Sequence, residues 1–218
     1  SKMFIREGTE VAVSDLLKGI IIQSGNDASV AIAEYIAGSE DAFADMMNQQ
    51  AQALGLTNTR FLNATGLPNE NHYSTAEDLA RLTIALINDH PEQYKLYSQR
   101  SYKFNDIAQP NRNKLLWRDR SVDGVKTGYT AAAGYCLVAS AERNGVRLIS
   151  VVLGTDSDEA RMRESQKLLS YGFRNFDTQT LYKAGINLRQ QDVYYGDRDK
   201  VELGVAEDIT VTFPRGSY

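Results

Sequence analysis

The sequence predicts an α+β fold: a cluster of helices followed by an antiparallel sheet. Three observations carry this. Up to about residue 90, apolar residues recur at helical spacing between capping residues. From about residue 122 to 153 the pattern turns strand-like around Asn144-Gly145, a strong two-residue hairpin signal. Residues 158–176 then return to a helical, amphipathic period.

The elements follow in order. A first helix is expected over 15–22, with Ser14 as its cap. A second, over 28–37, is expected to start at Asn26 or Asp27 and to stop at Gly38. A third starts at Ser39, carries Glu40 and Asp41 where the helix dipole favours acids, and is closed by Gly55. Residues 56–74 read as a loop, because Thr, Asn, Gly and Pro are frequent and periodicity is absent. Ser74 or Thr75 caps the next helix, over 76–88, where Leu79, Leu82, Ala85 and Leu86 fall on one face. Residues 134–141 and 146–153 are the arms of the hairpin, with 122–130 expected as a third strand beside it.

After Asp177 the texture changes to short alternating runs at 192–195 and 208–213, with turns at Gly196 and Gly204. A domain boundary is therefore placed there. Residues 1–176 form the larger domain, and 177–218 begin a small β-rich one with too few strands to bury both faces.

Composition excludes several function classes. A net charge of −4 supplies no basic field for nucleic acid. The single cysteine, Cys136, permits no internal disulfide and is expected to be a small buried hydrophobe. That cysteine and the 2 histidines lie far apart, so neither a metal centre nor a cofactor is expected. No apolar run approaches the roughly 20 residues that span a bilayer. No signal peptide is read, and the chain opens on Ser rather than Met, as expected of a mature or trimmed piece.

Two short motifs gain meaning from their setting. Ser24-Gly25-Asn26 falls in a short connection between two helices, and Lys126-Thr127-Gly128 falls on a strand leading into the hairpin. Each is weak alone; the pairing, 102 residues apart and in this order, resembles penicillin-recognising serine enzymes. The chemistry needs these types. A second hydroxyl, Ser24, can shuttle a proton to a leaving amine. The Asn26 carboxamide can hold both a lysine and a substrate amide. Lys126 supplies positive charge that favours an anionic substrate and tunes its neighbours. Thr127 can hydrogen-bond a carboxylate. Gly128 lets a substrate backbone approach closely, and the Tyr129 N–H can form half of an oxyanion hole.

The resemblance extends along the chain. Ser1-Lys2-Met3-Phe4, residues 21–28, Leu54-Gly55-Leu56-Thr57-Asn58-Thr59, Gln109-Pro110-Asn111-Arg112-Asn113, residues 122–128, Ala133-Gly134-Tyr135 and Tyr195-Gly196-Asp197 are all similar to the low-molecular-mass penicillin-binding proteins. These are D-alanyl-D-alanine carboxypeptidases of the protein 5 and protein 6 type. The resemblance implies a β-lactamase/transpeptidase-like domain. It implies catalytic roles for Ser24, Asn26 and Lys126, and substrate contacts from Thr127, Gly128 and Tyr129. Arg161 resembles an arginine that assists recognition of the terminal carboxylate, His72 falls in a loop near the cleft, and Arg112 is a candidate to line it. The implied partners are peptidoglycan pentapeptides ending in D-Ala-D-Ala and β-lactam antibiotics, with no nucleic acid. The implied location is the periplasm at the outer face of the inner membrane, often with a C-terminal amphipathic anchor that these residues do not include.

One departure is large. Ser-x-x-Lys, the family's nucleophile motif, occurs nowhere in the 218 residues. The nucleophile and its lysine base are expected upstream of Ser1, and the 1–176 domain is expected to be N-terminally incomplete. Two other functions compete. A non-catalytic fragment could still bind peptidoglycan peptides or a partner. A class A β-lactamase would need a glutamate base where Thr59 stands in the run Thr59-Arg60-Phe61-Leu62-Asn63, and a hydroxyl cannot serve as that base.

Overall fold

The computed structural model describes residues 1–217, in two compact units, Ser1–Leu169 and Ser170–Tyr218. In the first, helices α1 (Val13–Gln23), α2 (Asn26–Ala37), α3 (Glu40–Ala53) and α4 (Ala76–Asp89) precede two short helices, α5 (Pro91–Tyr94) and, further on, α6 (Leu115–Arg118). A hairpin of β1 (Ser101–Phe104) and β2 (Ile107–Pro110) lies between those two helices. The sheet is antiparallel, in the order β3-β4-β5, from β3 (Val122–Thr130), β4 (Gly134–Arg143) and β5 (Val146–Thr155). Helix α7 spans Asp158–Asn175.

The second unit holds two antiparallel pairs. Strand β6 (Phe176–Tyr182) pairs with β9 (Ile209–Pro214), and β7 (Arg189–Asp192) pairs with β8 (Lys200–Leu203). The period-two pattern located β9, whereas the run at 192–195 leaves its strand after Asp192. The β1–β2 hairpin, β6 and β8 are not read from the sequence: β1, β2 and β8 have only 4 residues each, and the 7 residues of β6 do not alternate in burial.

Side-chain caps start α3 and α4. The Ser39 hydroxyl accepts the Ala42 N–H at 3.1 Å, and Thr75 accepts that of Asp78 at 3.2 Å, each worth about 1 kcal/mol. Gly38 and Gly55 take positive φ (81° and 70°) at helix ends, as expected of a left-handed terminus. Ser14 corrects the sequence reading: it lies inside α1, whose cap position is Ala12, without a side-chain bond. Asn26 and Asp27 are likewise already helical, with Gly25 at the cap.

The core that positions the site has two parts. Leu137, Ala139 and Ala141 on β4, Leu115 on α6, and Met162 and Leu169 on α7 are buried, and each large apolar side chain among them contributes about 1.5–3 kcal/mol by leaving water. Met3, Leu16, Ala28 and Ile32 form a second cluster that joins the N-terminal segment to α1 and α2. Met3 lies across Gly19, where any side chain would collide with its sulfur.

Candidate active site

Ser24 and Gly25 form the turn between α1 and α2, and Asn26 opens α2. Ser24 ends α1 in the left-handed region (φ 56°), uncommon for a residue with a Cβ. Its N–H and that of Gly25 donate back to Ile20 and Gly19 at 3.1 and 3.0 Å, which holds the turn. Gly25 packs closely: a Cβ there would stand 3.1–3.2 Å from Met3 and from the Asp27 carboxylate, so a side chain would need these neighbours to shift by a few tenths of an ångström. Asp27 secures Met3. Its carboxylate accepts the N–H groups of Met3 (2.7 Å), Phe4 (2.8 Å) and Ile5 (3.3 Å), while Asn26 N–H donates to the Ser1 carbonyl at 3.0 Å. Burial opposes ionisation of Asp27, but the four backbone N–H donors of Met3, Ala28, Phe4 and Ile5 outweigh it and hold the carboxyl below its usual range.

Lys126-Thr127-Gly128 lies on β3, paired with Val138, Leu137 and Cys136 of β4. The Lys126 ammonium donates to the Ser24 hydroxyl and, at 2.8 Å, to the Thr127 carbonyl. The fold thus closes 102 residues of chain to put the two motifs in direct contact. Burial, with Arg112 and Arg161 nearby, lowers the Lys126 pKa to about 8. Gly128 is not demanded by internal packing, since a Cβ would meet only that of Cys136, at an ordinary 3.7 Å. What its hydrogen leaves open is the cleft.

That cleft has a volume of about 390 Å³ and is lined by Ser1, Ser24, Asn26, Thr65, Gly66, Leu67, Arg112, Lys126, Thr127, Gly128, Tyr129, Thr130, Ala133, Cys136 and Arg161. It contains three cations and no carboxylate among the described residues. The two arginines differ in what they have left to offer. Arg161 is buried, 6% exposed, and committed: it pairs with Asp158 and donates to the carbonyls of Gly128 (2.9 Å) and Cys136 (3.3 Å). Asp158, three residues before it on α7, is its acidic partner. Arg112 uses only Nε, which donates to the Gln23 carbonyl at 3.0 Å, and its terminal nitrogens have no hydrogen bond to the described residues. Its backbone N–H donates to the Ile22 carbonyl at 3.4 Å, and its neighbours Asn111 and Asn113 are buried, 4% and 1% exposed, with Asn113 donating to the Gly124 carbonyl at 2.9 Å.

The loop 56–74 contributes Thr65, Gly66 and Leu67 to the cleft rather than His72. Asn63 builds a turn by accepting the N–H groups of Thr65 (3.2 Å) and Gly66 (2.7 Å), which carries Thr65, Gly66 and Leu67 into the cleft. His72 is not among the lining residues. Its Nδ1 accepts the Leu62 N–H at 3.3 Å and its ring meets Phe61 edge-on, so it braces the loop, and burial lowers its pKa. Thr59 bonds Asp78 at 2.7 Å and Ser74 at 2.8 Å and lines a separate hollow. Cys136 is only partly buried and borders the cleft, where a core position was expected. Ser1 and residues 65–67 escaped sequence reading; the only signal was the Asx-turn chemistry of Asn63.

A family model described as D-alanyl-D-alanine carboxypeptidase matches residues 1–157, and one described as penicillin-binding protein 5, C-terminal domain, matches residues 176–218. The chain is 52% identical over 217 residues to D-alanyl-D-alanine carboxypeptidase DacC of Escherichia coli (strain K12), covering 99% of this chain and 54% of that protein. Among solved structures it is similar to penicillin binding protein 5 from Haemophilus influenzae, with a TM-score of 0.91, 49% identity, and 99% and 63% of the two chains covered. It is also similar to penicillin-binding protein D2 from Listeria monocytogenes in an ampicillin-bound form, with a TM-score of 0.70, 36% identity, and 74% and 68% covered. The chain spans about half the length of the curated relatives it matches. With a family model across most of its length, relatives near half identity and the paired Ser24 and Lys126 motifs, the chain belongs to the D-alanyl-D-alanine carboxypeptidase family of penicillin-binding proteins.

Proposed function

We propose that the chain carries the proton-relay and carboxylate-binding parts of a serine D-Ala-D-Ala carboxypeptidase. The observation that supports this most is the Lys126 ammonium resting on the Ser24 hydroxyl in a cleft with three cations and no carboxylate. Such a cleft favours an anionic ligand end. The substrate is the D-Ala-D-Ala terminus of a peptidoglycan stem peptide, processed in the bacterial periplasm, and penicillin acylates the same site.

The nucleophile, a serine of a Ser-x-x-Lys motif, comes from outside these 218 residues, which contain no such motif. That serine attacks the penultimate D-alanine carbonyl while its lysine takes the proton. The bond to the terminal D-alanine breaks, and Ser24 passes a proton to the departing amine. Water then hydrolyses the acyl ester. Lys126 and Thr127 hold the terminal carboxylate, and Arg112, whose outer nitrogens are unspent, adds a second cation. Arg161 acts as a positioning residue, since its bonds fix Gly128 and Cys136. The Tyr129 N–H supplies half of the oxyanion hole. Among the described residues β3 is an edge strand, paired with β4 alone, and an extended peptide can lie along its other side. Residues 1–176 belong to the catalytic domain and 177–218 to a separate β-rich one.

Intact mass after penicillin treatment tests the reading. The 218-residue chain stays unmodified, and a form that also carries Ser-x-x-Lys gains one penicillin. An adduct on the shorter chain overturns the placement of the nucleophile. No adduct on the longer form favours a non-catalytic peptide-binding role. Turnover of a β-lactam is not expected in either form, since Thr59 is tied to Asp78 and Ser74 and lines a different hollow.

A further inference from the structure

A second hollow lies at the C-terminal end of α3 and shares no lining residue with the cleft. Its volume is about 480 Å³. Ala51 and Leu56, each 4% exposed, line it as a small apolar floor, and the Leu56 N–H donates to the Ala51 carbonyl at 2.9 Å. Arg60 and Tyr73 stand opposite each other in an isolated antiparallel bridge, with N–H···O bonds of 2.9 and 3.1 Å between their backbones. Residues directly opposite in such a bridge project their side chains to the same face. Both line the hollow, and Tyr73 is 52% exposed.

The polar groups around it fall into two sets. Asn48 is spent on both backbone groups of Phe61, and the Thr59 hydroxyl on Asp78 and Ser74. The Arg60 guanidinium and the Gln52 side-chain amide are exposed and make no hydrogen bond to the described residues. Arg60 is also the only charged residue among those lining the hollow, too little charge for an anion site. An open aromatic ring, a planar donor fork, a carboxamide and an apolar floor match an N-acetylated sugar. Such a sugar presents a C–H face to an aromatic ring, hydroxyls to a guanidinium, and an acetamide that pairs with a carboxamide.

We propose that this hollow is a sugar-binding exosite for the N-acetylated glycan strand from which a stem peptide hangs. The glycan as the source of the sugar rests on the peptidoglycan reading above; the hollow's own groups select the sugar.

Titration calorimetry on the 218-residue chain tests it with chitotetraose, an N-acetylglucosamine oligomer, against cellotetraose, which lacks the acetamides. Chitotetraose binds roughly two- to tenfold tighter, the span of one hydrogen bond. Tyr73→Ala and Arg60→Ala each weaken it by roughly two- to tenfold, whereas Tyr73→Phe retains the ring face and the affinity. Both side chains are exposed, so an unchanged melting temperature accompanies each change. Absence of chitotetraose binding, equal binding of cellotetraose, or binding that survives both alanine changes overturns the proposal. Loss of sugar binding when acetyl-D-Ala-D-Ala saturates the cleft also overturns it, since the two sites share no lining residue. The same peptide separates the two readings. If the peptide binds and the sugar does not, only the exosite fails; if the sugar binds through Tyr73 and Arg60 and the peptide does not, the exosite stands and the cleft reading fails.

Discussion

The Ser24–Lys126 cleft and the 56–74 loop are both dense in polar side chains, yet they spend them differently. In the loop, hydrogen bonds close inward. Asp78, 3% exposed, accepts from Asn58 and Thr59; Asn48 accepts from and donates to Phe61; His72 accepts from Leu62. These groups satisfy backbone that a loop would otherwise leave unpaired. In the cleft, the backbone is already satisfied by the turn and the sheet, so Lys126, Arg112 and Asn26 retain capacity directed at a space rather than at the chain. A polar cluster becomes a candidate site when donors remain after local structure has been served.

Four changes sharpen or break that contrast. The largest effect is expected from Lys126→Ala, which removes the cation proposed to hold the ligand carboxylate. Affinity for acetyl-D-Ala-D-Ala should fall roughly ten- to a hundredfold, with the melting temperature not reduced. Unchanged affinity in a titration would show that the cleft cations do not bind the ligand. Asp78→Ala reverses the pattern: two donors lose a buried acceptor, for a loss of about 2–4 kcal/mol in urea unfolding. Peptide affinity of the folded protein should hold; a matching loss of binding would erase the distinction between the regions.

The third change is pH. Lys126 holds its proton more weakly in the folded chain, with a pKa of about 8. Between that value and the ordinary lysine range the unfolded state binds more protons, so the Lys126 contribution to stability rises with pH. Peptide affinity moves the other way, falling as pH passes about 8 and the ammonium is lost. Affinity that is flat from pH 7 to 9.5 would remove Lys126 from the binding charge. The smallest effect is expected for His72→Gln. The amide oxygen can still accept the Leu62 N–H, so stability drops by about 1 kcal/mol at most and binding is unaltered. A several-fold loss of affinity would return His72 to the site.

Residue types carried much of this in advance. Ser24, Asn26, Lys126 and Thr127 were legible because their functional groups match the steps of an acyl transfer and their flanking elements follow from caps and periodicity. His72 and Thr65 were not separable by sequence, since both sit in an aperiodic loop where a single Asx turn at Asn63 decides which residues reach the cleft. Arg112 and Arg161 are equal as cations in the sequence. Only the fold commits one to Asp158 and two carbonyls and leaves the other with open nitrogens. The Arg60–Tyr73 pair was equally hidden, because it depends on a single β-bridge across the loop.

The sequence by itself determined the α+β class, most helix ends, the hairpin at Asn144-Gly145 and the two motifs. These rest on local chemistry: capping oxygens, side-chain period and the allowed φ of glycine. The tertiary structure alone decided that Ser24 meets Lys126, that Arg112 is the arginine left free and that His72 faces its own loop. Those outcomes depend on contacts between residues far apart in the chain, where burial lowers the charge affinity of a lysine and packing chooses which donors stay unpaired.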